Sequence, residues 1–141
     1  MVVLDTDHLT LVQRRDPATT AVLSARLARV DPGQVATTII TYEEQVRGWF
    51  ARIARAKSSV QMIAAYSRLK RHLDDFRSHL VLDFEERAAA EFQRLRGQRI
   101  RIGTMDLKIS AIVLVNDATL LTRNLVDFRK VPGLKVEDWT R

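Results

Sequence analysis

The chain has 141 residues, 46% hydrophobic and 28% charged, which excludes a disordered chain and supplies enough apolar matter for one buried core. Lys and Arg number 23 against 17 Asp and Glu, a net charge of +6 that favours polyanionic partners; 18 of these cations are Arg, the side chain better shaped for bidentate phosphate contacts. The longest apolar run, Ala111 to Val115, is far below the ~20 residues of a bilayer span, and without cysteine there is neither a disulfide framework nor a thiolate metal site. The start MVVLD has no basic segment before its apolar residues and does not read as a signal peptide, so a cytoplasmic location is expected.

Val2 to Leu4 is a short β-branched run closed by Asp5 and reads as a buried strand. Thr6-Asp7-His8 opens a helix to about Arg14, and Asp16-Pro17 opens the next, with Leu23, Leu27 and Val30 on one face. After the turn Asp31-Pro32-Gly33, Val35 to Ile40 reads as the second strand. A basic helical pair follows, from about Tyr42 to Ala56 and from about Ser59 to Phe76, the second with Met62, Ala65, Leu69 and Phe76 roughly on one face. Leu80 to Phe84 is a third strand, and Glu85 to Arg96 a helix with acids in its first turn, ended by Gly97. A helix from about Met105 to Val115 leads through the turn Asn116-Asp117 to a fourth strand, Ala118 to Thr122. Arg123 to Phe128 is loop or short helix, and Leu134 to Val136 a last short strand. Strands alternating with helices predict an α/β fold, a mostly parallel central sheet flanked by helices.

Open α/β sheets bind ligands beyond the carboxyl ends of their strands. Asp5 ends the first strand, Glu43 and Glu44 follow the second, Asp106 lies in the first turn of the late helix, and Asn124 and Asp127 follow the fourth strand. Each acid alone reads as ordinary helix-start chemistry. Their joint placement after three different strands is what points to a site. Carboxylates gathered at one edge repel each other unless a cation joins them, and a hard divalent ion takes oxygen ligands.

These residues bring out a resemblance. The chain resembles the PIN-domain ribonucleases, specifically the VapC-type toxins of toxin–antitoxin pairs, along nearly its whole length. The likeness lies in VVLDTDHLT, in TTIITYEEQVRGW and in the segment from IGTMDLKIS through TRN to PGLKVEDW. It implies a single PIN-like nuclease domain over residues 1–141 and a metal site of Asp5, Glu44 and Asp106. The Glu-x-x-x-Gly spacing ending at Gly48 selects Glu44 over Glu43. Asn124 stands where many relatives carry a fourth acid; it offers an oxygen but no charge, which leaves open whether one metal ion binds or two. Thr122 is in reach as a hydrogen-bonding support, and Asp127 is held in reserve because it falls three residues late. The resemblance further implies an endoribonuclease that cuts RNA phosphodiester bonds with water activated by Mg²⁺ or Mn²⁺, a homodimer, and a cognate antitoxin.

Arg94, Arg96, Arg99 and Arg101 fall within eight residues just before Asp106 and are candidates for RNA backbone contacts. The run Arg47, Arg52, Arg55, Lys57 could track RNA or meet an acidic antitoxin tail. Trp49, Phe50 and Tyr66 are expected as core or dimer contacts, Trp139 as packing for the C-terminal end. His8, His72 and His79 are too scattered for a histidine zinc site and are expected as core or surface residues. Two rival readings stay open: a PIN-like module that only binds RNA or a partner, and a haloacid-dehalogenase-like phosphatase suggested by the D-x-D of Asp5 and Asp7, although VLVND ends in a turn with one acid and nothing later matches the order of lysine and second acidic pair which that chemistry needs.

Overall fold

The computed structural model describes residues 1–141. Five short strands, β1 (Val2–Leu4), β2 (Val35–Thr38), β3 (Leu80–Leu82), β4 (Thr119–Leu121) and β5 (Lys135–Glu137), form one sheet in the order β3-β2-β1-β4-β5, every pair parallel. Val2 stands opposite Val35 on one side and Thr119 on the other. The chain winds outward from β1 in one direction through β2 and β3, then in the other through β4 and β5. The crevice beyond the carboxyl ends of β1 and β4 is therefore the point where the winding reverses, the place such sheets leave open for ligands.

Seven α-helices cover the sheet: α1 (Thr6–Arg14), α2 (Pro17–Leu27), α3 (Ile39–Arg55), α4 (Ser59–Phe76), α5 (Glu86–Gly97), α6 (Thr104–Val115) and α7 (Leu125–Phe128). Alternate strand residues point to opposite faces and so seed two cores. Val3, Ala36 and Leu120 pack with Ile109, Ile112, Val113 and Phe128 on one side, while Leu4 and Leu121 pack with Leu9, Leu23, Phe76 and Trp139 on the other. Burial on both faces explains why the strands read as continuous apolar runs rather than alternating ones. Helix α6 is buried from Ile109 to Val113, which matches its almost unbroken apolar sequence.

Three expectations are corrected. The second strand ends at Thr38, and Ile39 and Ile40 belong to α3. Thr38 is the cause: its hydroxyl accepts the N–H of Thr41 at 3.1 Å and caps the helix there, which overrides the β-branched run. Met62 is exposed, because α3 ends at Arg55 and α4 is buried only at His72 and Phe76, near its other end. Of the two roles expected for Phe50 and Tyr66, core or dimer contact, the core one is excluded: they are 56% and 57% exposed. Trp139 is buried as expected, with its indole N–H donating to Glu137.

Candidate active site

Asp5 leaves β1 and caps α1, its Oδ1 accepting the His8 N–H at 3.1 Å. This junction turns the chain from the end of the central strand directly into α1. Glu44 projects from the second turn of α3, which the Thr38 cap orients. Asp106 lies in the first turn of α6, and Asn124 caps α7 just past β4. Asp5, Glu44, Asp106 and Asn124 line one cleft of about 380 Å³. Residues 18 to 119 positions apart in sequence thus meet where the winding of the sheet reverses.

The cleft is electrostatically poor for its own acids. Burial pushes the Asp5 carboxyl up to about 6, against the hydrogen bonding of His8 and Thr122. Burial also raises Glu44, and the charges of Asp106 and Glu43 add to this, while a hydrogen bond from Thr6 opposes it. Asp106 is raised by burial and then by the charge of Asp127. Glu44 accepts the Thr6 hydroxyl on Oε2 at 2.8 Å, and its Oε1 is buried with no hydrogen-bond partner. A bare carboxylate oxygen in a cleft lined by two further destabilised carboxylates is the setting that a divalent cation relieves, and an all-oxygen set suits a hard ion. The residues present fit such an ion.

Glu43 does not line the cleft; it pairs with Arg47 one helical turn on. Thr122 is fully buried and accepts the Asn124 N–H at 3.0 Å, so it braces the end of β4. Asp127 lies outside the cleft lining: Asn124 donates to it at 3.1 Å and Lys130 pairs with it at 3.1 Å. These partners, the Asn124 hydrogen bond first, hold it below the usual carboxylate range. None of Arg94, Arg96, Arg99 and Arg101 lines the cleft. Arg94 is turned to Glu91, and the Arg96 guanidinium sits over Phe92 at 5.5 Å.

The structure adds residues that the sequence reading did not assign to the site. Asp7, Arg14 and Arg123 line the cleft, and Arg123 reaches Asp7 at 3.8 Å. Side-chain atoms of Asp5, Asp7 and His8 lie within 4.8 Å of one another. Of these three, His8 is already committed. Its Nδ1 donates to Asp7 Oδ1 at 2.7 Å, and its Nε2 accepts the Trp139 N–H at 3.2 Å. Burial pulls the imidazole down, yet Asp5 and Asp7 outweigh it and push it up to about 9. The Trp139 N–H pointing at Nε2 opposes that second proton, so His8 serves as a buried strut between the acid cluster and the C-terminal end. Asp7 is lowered although burial opposes this, because His8, Asp5 and the Arg123 N–H all favour its charge. Asp7 could have been noticed through its place in D-x-D, and Arg14 through its spacing of four from Thr10 on one helical face.

No family model matches the chain. Among curated proteins, it is 32% identical to Ribonuclease VapC2 of Rickettsia felis over 74 residues, 49% of this chain and 55% of that protein, so that match spans about half of the relative's length. It is 25% identical to Ribonuclease VapC1 of Haemophilus influenzae over 98% of this chain and 97% of the relative. Among solved structures, VapBC-1 from Haemophilus influenzae superposes with a TM-score of 0.70 at 25% identity, covering 100% of both chains. VapBC2 from Rickettsia felis, bound to a promoter DNA fragment, superposes with a TM-score of 0.72 at 25% identity over 99% of each. Sequence likeness along almost the entire chain and the shared fold over all of it make this chain similar to the VapC ribonucleases, and its cleft gathers Asp5, Glu44, Asp106 and Asn124 at the end of the sheet.

Proposed function

We propose that the chain is a metal-dependent endoribonuclease, the toxin of a type II toxin–antitoxin pair, and that residues 1–141 form its one nuclease domain. The observation that carries the metal-dependent reading is the buried, unpartnered Glu44 Oε1 in a cleft that also holds Asp5 and Asp106. Asp5, Glu44 and Asp106 would hold Mg²⁺ or Mn²⁺, with Asn124 completing the site through its amide oxygen. When bound, such an ion supplies an activated water and neutralises charge on a phosphodiester under attack. The kinship with proteins named ribonucleases supports RNA as the substrate.

The chain's own residues have distinct tasks. Glu44 has one oxygen held by Thr6 and one free, so it can orient the attacking water or take its proton. Water adds to phosphorus, the bond to the leaving ribose oxygen breaks, and that oxygen takes up a proton. Arg14 and Arg123, in the cleft wall, face the phosphate charge. Thr122 and Asp127 are supports: the first braces Asn124 through its backbone, the second through its side chain. A cognate antitoxin protein is the expected partner, as in the VapBC complexes, and we assign a homodimer working in the cytoplasm on the same kinship. No helix is long and apolar enough to cross a membrane.

The test is cleavage of a labelled RNA pool by the purified chain. Activity should vanish with EDTA, return with Mg²⁺ or Mn²⁺, and be lost in Asp106→Asn while the circular-dichroism spectrum is unchanged. Full cleavage by folded Asp106→Asn would sink the assignment. Retained RNA binding with no cleavage under any divalent ion would favour a binding-only module.

A further inference from the structure

We propose that a second, basic groove beside the acid cleft binds the sugar–phosphate backbone of the RNA strand that leads into the cut site, an inference that rests on the ribonuclease reading above. The groove, of about 800 Å³, runs between the end of α1, α3 and α4. Thr10 and Arg14 line both it and the acid cleft, so the two adjoin along that edge.

Its walls carry Arg14, Arg15, Arg52, Arg68 and Arg71 against a single acid, Asp75. None of these five arginines has a carboxylate within 4.0 Å, whereas Arg47, Arg77 and Arg94 are each paired along their own helices. Five unneutralised guanidinium groups converging on one groove repel each other, and a polyanion relieves that repulsion. The floor is already in place. Gln45 donates to Thr10 at 3.2 Å and to Gln13 at 3.0 Å and meets His72 Nε2 at 2.8 Å, tying α1, α3 and α4 together. A preset groove spares an incoming strand part of the cost of ordering it.

Two groove positions give up local stability. Arg15 adopts a left-handed backbone, φ 54° and ψ 28°, at the end of α1, where glycine would sit without strain. Gly48 lies inside α3, where glycine costs roughly 1 kcal/mol relative to alanine. A Cβ built there meets nothing of this chain within 4 Å. The fold itself therefore asks for neither residue. A cationic side chain at 15 and an open wall at 48 both serve an occupant of the groove.

The lining also discriminates between polyanions. Trp49 is its one hydrophobic member, and the Arg52 guanidinium lies over that ring at 4.8 Å. A peptide draws much of its affinity from buried apolar anchors, for which this groove has little to offer. A phosphate backbone needs only the arginines, and the edge shared with the cleft leads toward the acids.

The experiment uses the full chain carrying Asp106→Asn, in EDTA, with a short fluorescent single-stranded RNA and a polyglutamate peptide as probes. Adding Arg68→Gln and Arg71→Gln should weaken RNA binding about tenfold at low salt and reduce the slope of log affinity against log salt by about 0.7 for each phosphate contact removed. Gly48→Trp, which fills the groove without changing charge, should also weaken RNA binding. RNA affinity and salt slope unchanged in both variants would overturn the proposal. Polyglutamate binding more tightly than RNA, and lost on the same substitutions, would also overturn it and make the groove a peptide site. Failure of the ribonuclease reading looks different: a chain with native Asp106 that cleaves no RNA with any divalent ion removes that reading and this one together. If that chain cleaves RNA and the groove variants bind and cleave equally well, the groove proposal alone falls.

Discussion

Adjacent carboxylates with opposite fates show how little residue type alone decides. Glu43 and Glu44 follow each other on α3, about 100° apart around the helix, so one faces Arg47 and solvent and the other the cleft. Glu44→Gln should lower Mg²⁺-dependent cleavage about a hundredfold or more, and Glu43→Gln should leave most of it; steady-state kinetics on one RNA checks the ranking. Asp5 carries a pH signature. Its pKa of about 6 in the fold lies above the unfolded value near 3.8, so the unfolded chain loses that proton first. Stability from this group is present below about pH 4 and is lost as pH rises through about 6. The metal-free chain should therefore melt higher at pH 5 than at pH 7.5, by an amount on the order of 1 kcal/mol in unfolding free energy. Asp5→Asn keeps the α1 cap acceptor and should flatten that dependence in thermal melts. An unchanged slope would reassign the titration to another group.

At the scale of elements, the junction between β2 and α3 matters most. The Thr38 hydroxyl caps α3, contacts the Thr41 hydroxyl at 3.2 Å, and so sets where the helix begins and which way Glu44 points. The apolar run Val35 to Ile40 hid this boundary, because Ile40 is buried in the same core as the strand residues and Ile39 packs against it. A threonine inside such a run competes with the sheet for backbone N–H groups, and here the capping bond prevails. Thr38→Ala should destabilise the chain by roughly 1–2 kcal/mol in urea unfolding, and Thr38→Ser should restore most of it. Both variants should show cleavage loss in proportion, since a displaced α3 start moves Glu44. The start of α2 was easier to read: Asp16-Pro17 is an ordinary capping signal, and the helix begins where it predicts.

Over the whole molecule, a +6 charge is distributed so that cations surround a pit of acids. Metal binding should couple to folding. Mg²⁺ at about a hundred times its dissociation constant stabilises by about 2.7 kcal/mol, so it should raise the melting temperature of the native chain and fail to do so in Asp106→Asn. Differential scanning fluorimetry at constant ionic strength separates this from general screening. The arginines before α6 and those in the cleft should differ in kind. Arg14→Gln should raise KM about tenfold, because Arg14 borders both cleft and groove. Arg99→Gln should change it far less, since Arg99 lies outside both linings.

What the amino-acid order determined by itself was the alternation of short apolar strands with amphipathic helices, hence a parallel α/β sheet, and the acids that end or follow its strands. Those features are local: strand runs, caps and helix periodicity need only neighbours in sequence. The spacing to Gly48 also pointed to Glu44 over Glu43, and Glu44 is the one of the two that lines the cleft. The tertiary structure alone decided that Asp7 and Arg14 join the cleft and that Arg94 to Arg101 lie outside the linings of cleft and groove. It also decided that Arg15, Arg52, Arg68 and Arg71 converge on one groove. Such choices depend on how α1, α3 and α4 cross over the sheet, and a crossing angle is set by side chains far apart in the chain, packed only once the fold has closed.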